Sequence, residues 1–242
     1  MNKKSAFLLA WALTATPLGT TLADLADASL AEPSSPMIWR FRVMLDQRDI
    51  GTHEFTVSNR EGKRYIAIDA DFDVKILFVN AYSYDHENLE VWDGDCLASI
   101  RAETDDNGKR SRVVGEAVTE GFTVVTDEGA PQTASAACLR SFAYWNPAFL
   151  DSRRLLNAQT GEIVDVEVTD RGEETLEIEG TPVPAQRYSL ELDEGPIDLW
   201  YARENGQWLA LEAAAKGGRT LRYEPVHLPF GLPGQDRRLA TN

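Results

Sequence analysis

Chemistry-bearing motifs are missing from this sequence. It has no G-x-S-x-G elbow, no H-E-x-x-H, no phosphate loop and no dinucleotide fingerprint, so the common routes to hydrolysis, metalloproteolysis and nucleotide binding have no local signature. Cysteine is scarce: Cys96 and Cys138 are the only two. Histidine is nearly as scarce, with His53, His86 and His227 scattered along the chain. Two thiols and three separated imidazoles show no ligand spacing, so neither a metal nor a cofactor is expected. Positive charge is short as well, 24 Lys and Arg against 39 Asp and Glu. That balance repels phosphate backbones and anionic lipid surfaces, so nucleic acid is excluded as a partner. High negative charge also serves plain solubility.

No apolar run is long enough to span a bilayer. The longest, from Ala6 to about Leu18, falls short of the ~18 residues a spanning helix needs and contains Pro17. It follows Lys3 and Lys4 and precedes small-residue cleavage options at Thr21-Leu22-Ala23, Ala26-Asp27-Ala28 and Ser29-Leu30-Ala31. That is the layout of a secretory signal peptide. We therefore expect residues 1–23 to be removed, with 31 as the latest boundary, leaving a mature protein in the bacterial periplasm or outside the cell, without a transmembrane segment. Losing Lys3 and Lys4 leaves 22 Lys and Arg against 39 Asp and Glu, a formal charge of −17. In an oxidising compartment an isolated cysteine pair most often forms a disulfide, here Cys96–Cys138.

Beyond residue 23 the sequence reads as a flexible leader over 24–36 (Ala, Ser and Pro-rich), one β domain over 37–224, and a proline-containing tail over 225–242 whose last residues are expected to be disordered. The dominant period in the domain is two. Ile66, Ile68, Ala70, Phe72, Val74 and Ile76 alternate with Asp69, Asp71, Asp73 and Lys75, the pattern of a strand with one buried and one wet face. Trp39, Phe41, Val43 and Leu45 repeat it, as do Gly51, His53, Phe55 and Val57. Turn signals at Asp46–Asp49, Asn107-Gly108, Asn205-Gly206 and Gly217-Gly218 join successive strands by short connections. The expected fold is all-β: a strongly curved antiparallel meander, half-barrel or open barrel, with one short helix. That helix is expected to begin with Asn146 as cap and Pro147 at its first position, and to run from Ala148 to Leu156.

The row with most chemical content is Ala81–Trp92. As a strand it sets Tyr82, Tyr84, His86, Asn88, Glu90 and Trp92 on one face, aromatic groups interleaved with polar ones. Such a face can hold a ligand with apolar and polar parts; equally, it can be cross-strand packing with its polar groups hydrogen-bonded. A second cluster, Ser141–Pro147, follows Cys138 and would be brought close to Trp92 by the disulfide, so Trp145 joins the candidate wall. The ligand-binding candidates are thus Tyr82, Tyr84, His86, Glu90, Trp92 and Trp145. His86 and Glu90 share a face but stand ~14 Å apart from the strand rise, too far for a dyad. Three other groups read more simply. Asp69, Asp71 and Asp73 form a solvated acidic face, Thr104–Gly108 is a hairpin turn, and His53 is a core histidine.

Several motifs carry a resemblance. Y-x-Y-x-H-x-x-x-E-x-W at Tyr82–Trp92, G-D-C at Gly94–Cys96, T-D-D-N-G at Thr104–Gly108, F-A-Y-W-N-P at Phe142–Pro147, R-L-L-N-x-Q-T-G at Arg154–Gly161 and I-D-L-W-Y at Ile197–Tyr201 together resemble an exported bacterial family, domain of unknown function 6134. The match spans about Trp39 to Tyr223. More distantly, R-F-R-V…I-G-T-H-E-F-T-V and W-L-A-L-E…G-G-R-T-L-R-Y are similar to a periplasmic family, domain of unknown function 3108, which implies a curved antiparallel sheet like that of periplasmic lipoprotein carriers. Neither resemblance implies an activity. Three function classes follow. The first is an envelope protein holding an apolar or amphipathic, lipid-like ligand on its concave sheet. The second is a structural module binding an envelope protein through a sheet edge or exposed aromatic patch. The third is a hydrolase or isomerase using His86 with a hydroxyl or carboxylate from another strand. The expectation is against an enzyme.

Overall fold

The computed structural model describes residues 35–76, 79–127, 129–193, 195–215 and 217–233. The expected signal peptide, nearly all of the leader and the end of the tail lie outside the described residues. Eight strands follow one another first: β1 (Met37–Leu45), β2 (Arg48–Arg60), β3 (Lys63–Ile76), β4 (Val79–Asp93), β5 (Cys96–Asp106), β6 (Lys109–Val118), β7 (Gly121–Thr126) and β8 (Gln132–Ala134). An insert comes next, with β9 (Arg140–Ser141), a 3-10 helix (Pro147–Asp151), β10 (Arg154–Leu156) and β11 (Ile163–Asp165). Five more strands complete the chain: β12 (Glu167–Ile178), β13 (Thr181–Glu191), β14 (Ile197–Ala202), β15 (Trp208–Ala215) and β16 (Arg219–His227).

Thirteen of these strands form one antiparallel sheet in the order β12-β13-β14-β15-β16-β1-β2-β3-β4-β5-β6-β7-β8. It is two meanders joined where the last strand pairs with the first, Val43 opposite Tyr223. The sheet does not close, leaving β12 and β8 as edges. The β12 edge carries Asp170, Arg171 and Glu173 and a register shift between Asp170 and Gly172. Charge and a bulge are the usual means of blocking edge-to-edge pairing.

The long strands turn one face inward, apolar in β1 and β3 and mixed aromatic and polar in β4, and the alternation read from the sequence holds there. In β1, Trp39, Phe41 and Val43 are buried while Arg40 and Arg42 are exposed. In β3, Ile66 through Val74 are buried at every second position. The sheet bends strongly around this face, and the insert shows how far. The Tyr201 hydroxyl on β14 donates to the Tyr144 carbonyl at 2.9 Å, while the neighbouring Trp145 ring stands 5.5 Å from that of Trp92 on β4. Along the sheet β14 and β4 are six strand spacings apart, roughly 28 Å. Two adjacent residues touch both strands only because the sheet curves around them.

The insert therefore fills the concave face. Leu139, Ala143, Trp145 and Phe149 are each at most 5% exposed and belong to the same core as the sheet. Its small second sheet, order β11-β10-β9, contains a parallel pair, β9 with β10, too short to carry a periodic signal. The expected helix is shorter than its sequence suggests. Asn146 does cap it, its Oδ1 accepting from Ala148 N, and Pro147 is in the first turn, but the helix stops at Asp151. Ser152 N donates to Phe149 O, and the chain then extends so that Leu155 and Leu156, both fully buried, pair on β10 with β9 and β11. Burial of both leucines in a two-sided strand overrides a helical continuation. At the other end β16 runs to His227, and Leu228 is buried beyond it.

Candidate functional site

The β4 row faces the interior as its alternation requires: Tyr82 and Tyr84 are half-buried, while His86, Asn88, Glu90 and Trp92 are buried. The structure divides this row into two ends with different surroundings.

At the Trp92 end the interior is shut. Trp92 and Trp145 meet edge to face, and the Arg64 guanidinium lies 5.0 Å from the Trp145 ring centroid. Glu90, 2% exposed, accepts from Trp92 Nε1 at 2.7 Å and from Asn88 Nδ2 at 3.0 Å. Burial pushes the Glu90 carboxyl above its ordinary value, and the hydrogen bonds from Asn88 and Trp92 oppose that shift. A clasp holds this end closed. Cys96 and Cys138 form a disulfide with Cα atoms 4.9 Å apart. Asp95, in the turn between β4 and β5, pairs with Arg64 at 2.8 Å and accepts from Asn146 Nδ2 at 3.2 Å, while its carbonyl accepts from Arg140 Nε at 2.9 Å. Leu97 N donates to Leu139 O beside the disulfide. The structure thus brings Glu90, Trp92 and Trp145 together as wall and lid, packed on one another.

The other end is more open. Tyr84 stacks on Phe72 at 5.2 Å, and the Tyr82 phenol is pushed up to about 12, first by burial and then by Asp106 beside it. His86, 6% exposed, shares a hydrogen bond of 2.9 Å between its Nδ1 and Thr104 Oγ1. Strand register makes these groups part of a belt. His53 is opposite Ala70, Ala70 opposite His86, His86 opposite Thr104 and Thr104 opposite Ser111. Burial lowers His86 to about 4, and burial together with His86 lowers His53 to about 3, so both imidazoles are neutral at pH 7. The expectation for His53 holds in part. Its Nδ1 meets the Tyr223 hydroxyl at 3.0 Å, but its enclosed Nε2 has no partner.

Beside this belt is a pocket of about 400 Å³, lined on one side by Thr104, Asp106, Lys109 and Ser111 and on the other by Thr126 and the Gln159–Glu162 loop. The loop sits tightly on the sheet. Ser111 Oγ donates to Gln159 O at 2.8 Å, and Gly161 N donates to Asn157 O. Gly161 adopts φ +76°, and a Cβ there would stand 2.5 Å from Thr126 Cγ2, so glycine alone lets the loop close on β7. Sequence reasoning found Tyr82, Tyr84 and His86 but not Thr104, Ser111 or this loop, which only the register brings together. The R-L-L-N-x-Q-T-G motif was the available signal for the loop.

The outward face is acidic, as Asp69 and Asp71 promised. Glu54, Asp69, Glu87 and Glu103 are direct cross-strand neighbours, ending at Arg112, and Asp71, Asp85 and Asp105 form a parallel row ending at Arg110. Burial, Asp85, Asp71 and Glu54 together raise the Asp69 carboxyl above its ordinary value. Among the described residues no three His, Cys, Asp or Glu side chains are grouped to hold a metal ion, and no helix is long and apolar enough to cross a membrane.

An open, strongly bent antiparallel sheet with a filled interior defines a β-barrel-like class. In agreement, the fold is similar to a crystal structure of a β-barrel-like protein of domain of unknown function DUF1849 from Brucella abortus, with a TM-score of 0.54 at 13% identity, covering 80% of this chain and 97% of that one. At that identity the likeness concerns the fold alone. The chain itself belongs to the family defined as domain of unknown function DUF6134, whose model matches residues 41–226. No curated protein matches it.

Proposed function

We propose that this is an exported envelope protein that binds a small amphipathic ligand at the Tyr82–Tyr84–Thr104 end of its bent sheet. The observation that carries the reading is the asymmetry of the β4 row. Its Trp92 end is packed against the insert, with Glu90 accepting from Trp92 and Asn88, whereas its Tyr82 end adjoins, through Asp106, a pocket of about 400 Å³. Pockets of that size with a few convergent polar groups are where small molecules bind, and Asp106 joins this one to the Tyr82 phenol. Tyr82, Tyr84 and His86 then remain ligand groups, while Glu90, Trp92 and Trp145 act by holding the far end shut. The disulfide supports an oxidising compartment. His86 with Thr104 gives the imidazole the hydroxyl partner that proton-transfer chemistry would need, but burial keeps it a weak base, and we assign it to binding.

The test is mass spectrometry of small molecules extracted from mature protein purified from the periplasm without detergent. We expect a stoichiometric ligand that is lost from Tyr84→Ala protein, and N-terminal sequencing should place the first residue within 24–32. A protein that emerges empty, or a Tyr84→Ala variant that keeps its cargo, overturns the site. A chain recovered from the cytoplasm with its first residues intact overturns export.

A further inference from the structure

The lining of the pocket beside Thr104 constrains what can enter it. Three carboxylate residues line it, Asp106, Asp127 and Glu162, together with Lys109, while Arg112 at its rim pairs with Glu103 on the outward face. Between them stand four hydroxyls, from Thr104, Ser111, Thr126 and Thr160, and the amides of Gln132 and Gln159. An anionic group would meet the carboxylates at close range, and a cationic one would meet Lys109. Bare hydrocarbon would desolvate these polar groups without offering them new hydrogen bonds, at a cost. A hydroxyl is at once donor and acceptor, so a cluster of hydroxyls can donate to the carboxylates and accept from Lys109 without carrying charge.

The buried part of the wall has the same character. Thr104 is 6% exposed and engages His86 through one hydrogen bond, which leaves its oxygen further capacity toward the pocket. Ser111 donates to the Gln159 carbonyl, so its oxygen is oriented to accept. Apolar contact comes from Val124 and from Gly161, the backbone seated against Thr126. Asp106 links this pocket to the aromatic side, since it stands at the Tyr82 phenol and opposite Tyr84 in register.

We infer that the pocket takes an uncharged, hydroxyl-rich head group, a saccharide or cyclic polyol, of a ligand whose apolar part lies along Tyr82, Tyr84 and Phe72. This rests on the ligand-binding reading above and names its chemistry. A volume of about 400 Å³ accommodates one or two sugar rings and is at the small end for ligand sites.

The experiment is saturation-transfer NMR on the mature protein with three single-tailed probes below their micelle concentrations: octyl glucoside, dodecanoate and a lysophosphocholine. Octyl glucoside should bind and be displaced by free glucose. Its affinity should stay within about twofold between about 20 and about 500 mM salt, since no ion pair anchors it. Ser111→Ala and Thr126→Val should each weaken it by about tenfold. Lys109→Gln, a change on an exposed side chain that leaves the core untouched, should weaken it less than an ion-paired head would require. Binding of dodecanoate or the lysophosphocholine without octyl glucoside overturns the head-group assignment and leaves a ligand site standing. If none of the three probes binds, the saccharide inference and the ligand-binding reading fall together.

Discussion

Removing the disulfide tests how the concave face is closed. In the Cys96→Ser/Cys138→Ser protein the unfolded chain regains the freedom of a loop spanning a sequence separation of 42 residues. On the loop-entropy model this lowers stability by about 4 kcal/mol at 25 °C. For a domain of this size that corresponds to a fall in Tm of about 8–16 °C. The insert should nevertheless stay docked. Leu139, Trp145 and Phe149 are buried against the sheet, and each is worth about 1.5–3 kcal/mol, comparable with or larger than the cross-link once taken together. Arg64, Arg140 and Asn146 still converge on Asp95. The assay is urea unfolding followed both by far-ultraviolet circular dichroism and by tryptophan fluorescence, to which the Trp92–Trp145 pair contributes. We expect one shared transition, displaced to lower urea with an unchanged slope. A loss below about 1 kcal/mol would refute the loop argument. A fluorescence change well before the circular-dichroism change would show that the disulfide, not packing, holds the insert in place.

Two further predictions concern the sheet. Gly51 has φ +145°, and a Cβ there would stand 1.9 Å from the Asp71 carbonyl oxygen, so Gly51→Ala should cost at least about 3 kcal/mol by chemical denaturation; Gly180→Ala, at φ +73° in open space, should cost about 1. His86 is held neutral by burial, with its value lowered from 6.5 to about 4, so the unfolded chain takes up its proton first as pH falls. Its contribution is full above pH 6.5 and is lost on the way down to about 4, on the order of 3 kcal/mol, and a His86→Gln protein should show a flatter loss of urea midpoint over that window.

The strands were legible because alternation survives wherever one face is buried. Trp39 to Leu45 and Ile66 to Val74 announce both their period and their inward face, and the β4 row was placed on its correct face for the same reason. Pairing across long separations was not legible. Nothing local to His53 indicates that its partner is Tyr223, 170 residues away, or that β16 completes the sheet against β1. The insert departs from its local signals for a related reason. Pro147 after Asn146 is a true helix start, but the strand at Leu155 and Leu156 is set by β9 and β11, whose own stretches are too short to show a period. Of the candidate site, the aromatic and imidazole groups could be read from one strand; the hydroxyls opposite them come from β5, β6 and the loop after β10.

The family motifs make sense as parts of one closure. A thirteen-stranded sheet with two free edges could bury its concave face by pairing those edges, and this chain does not. It uses the insert instead. F-A-Y-W-N-P supplies Tyr144 to β14 and Trp145 to β4, G-D-C supplies Asp95 and the disulfide, and I-D-L-W-Y supplies the Tyr201 hydroxyl that meets Tyr144. R-L-L-N-x-Q-T-G adds the buried leucines of β10 and then the loop that lines the pocket. The same inserted segment therefore shuts the sheet at Trp92 and shapes the opening near Thr104. A barrel closed strand to strand has its opening determined by strand number and tilt; here the opening follows the insert, and changes at Gln159–Glu162 should alter the pocket without altering the sheet.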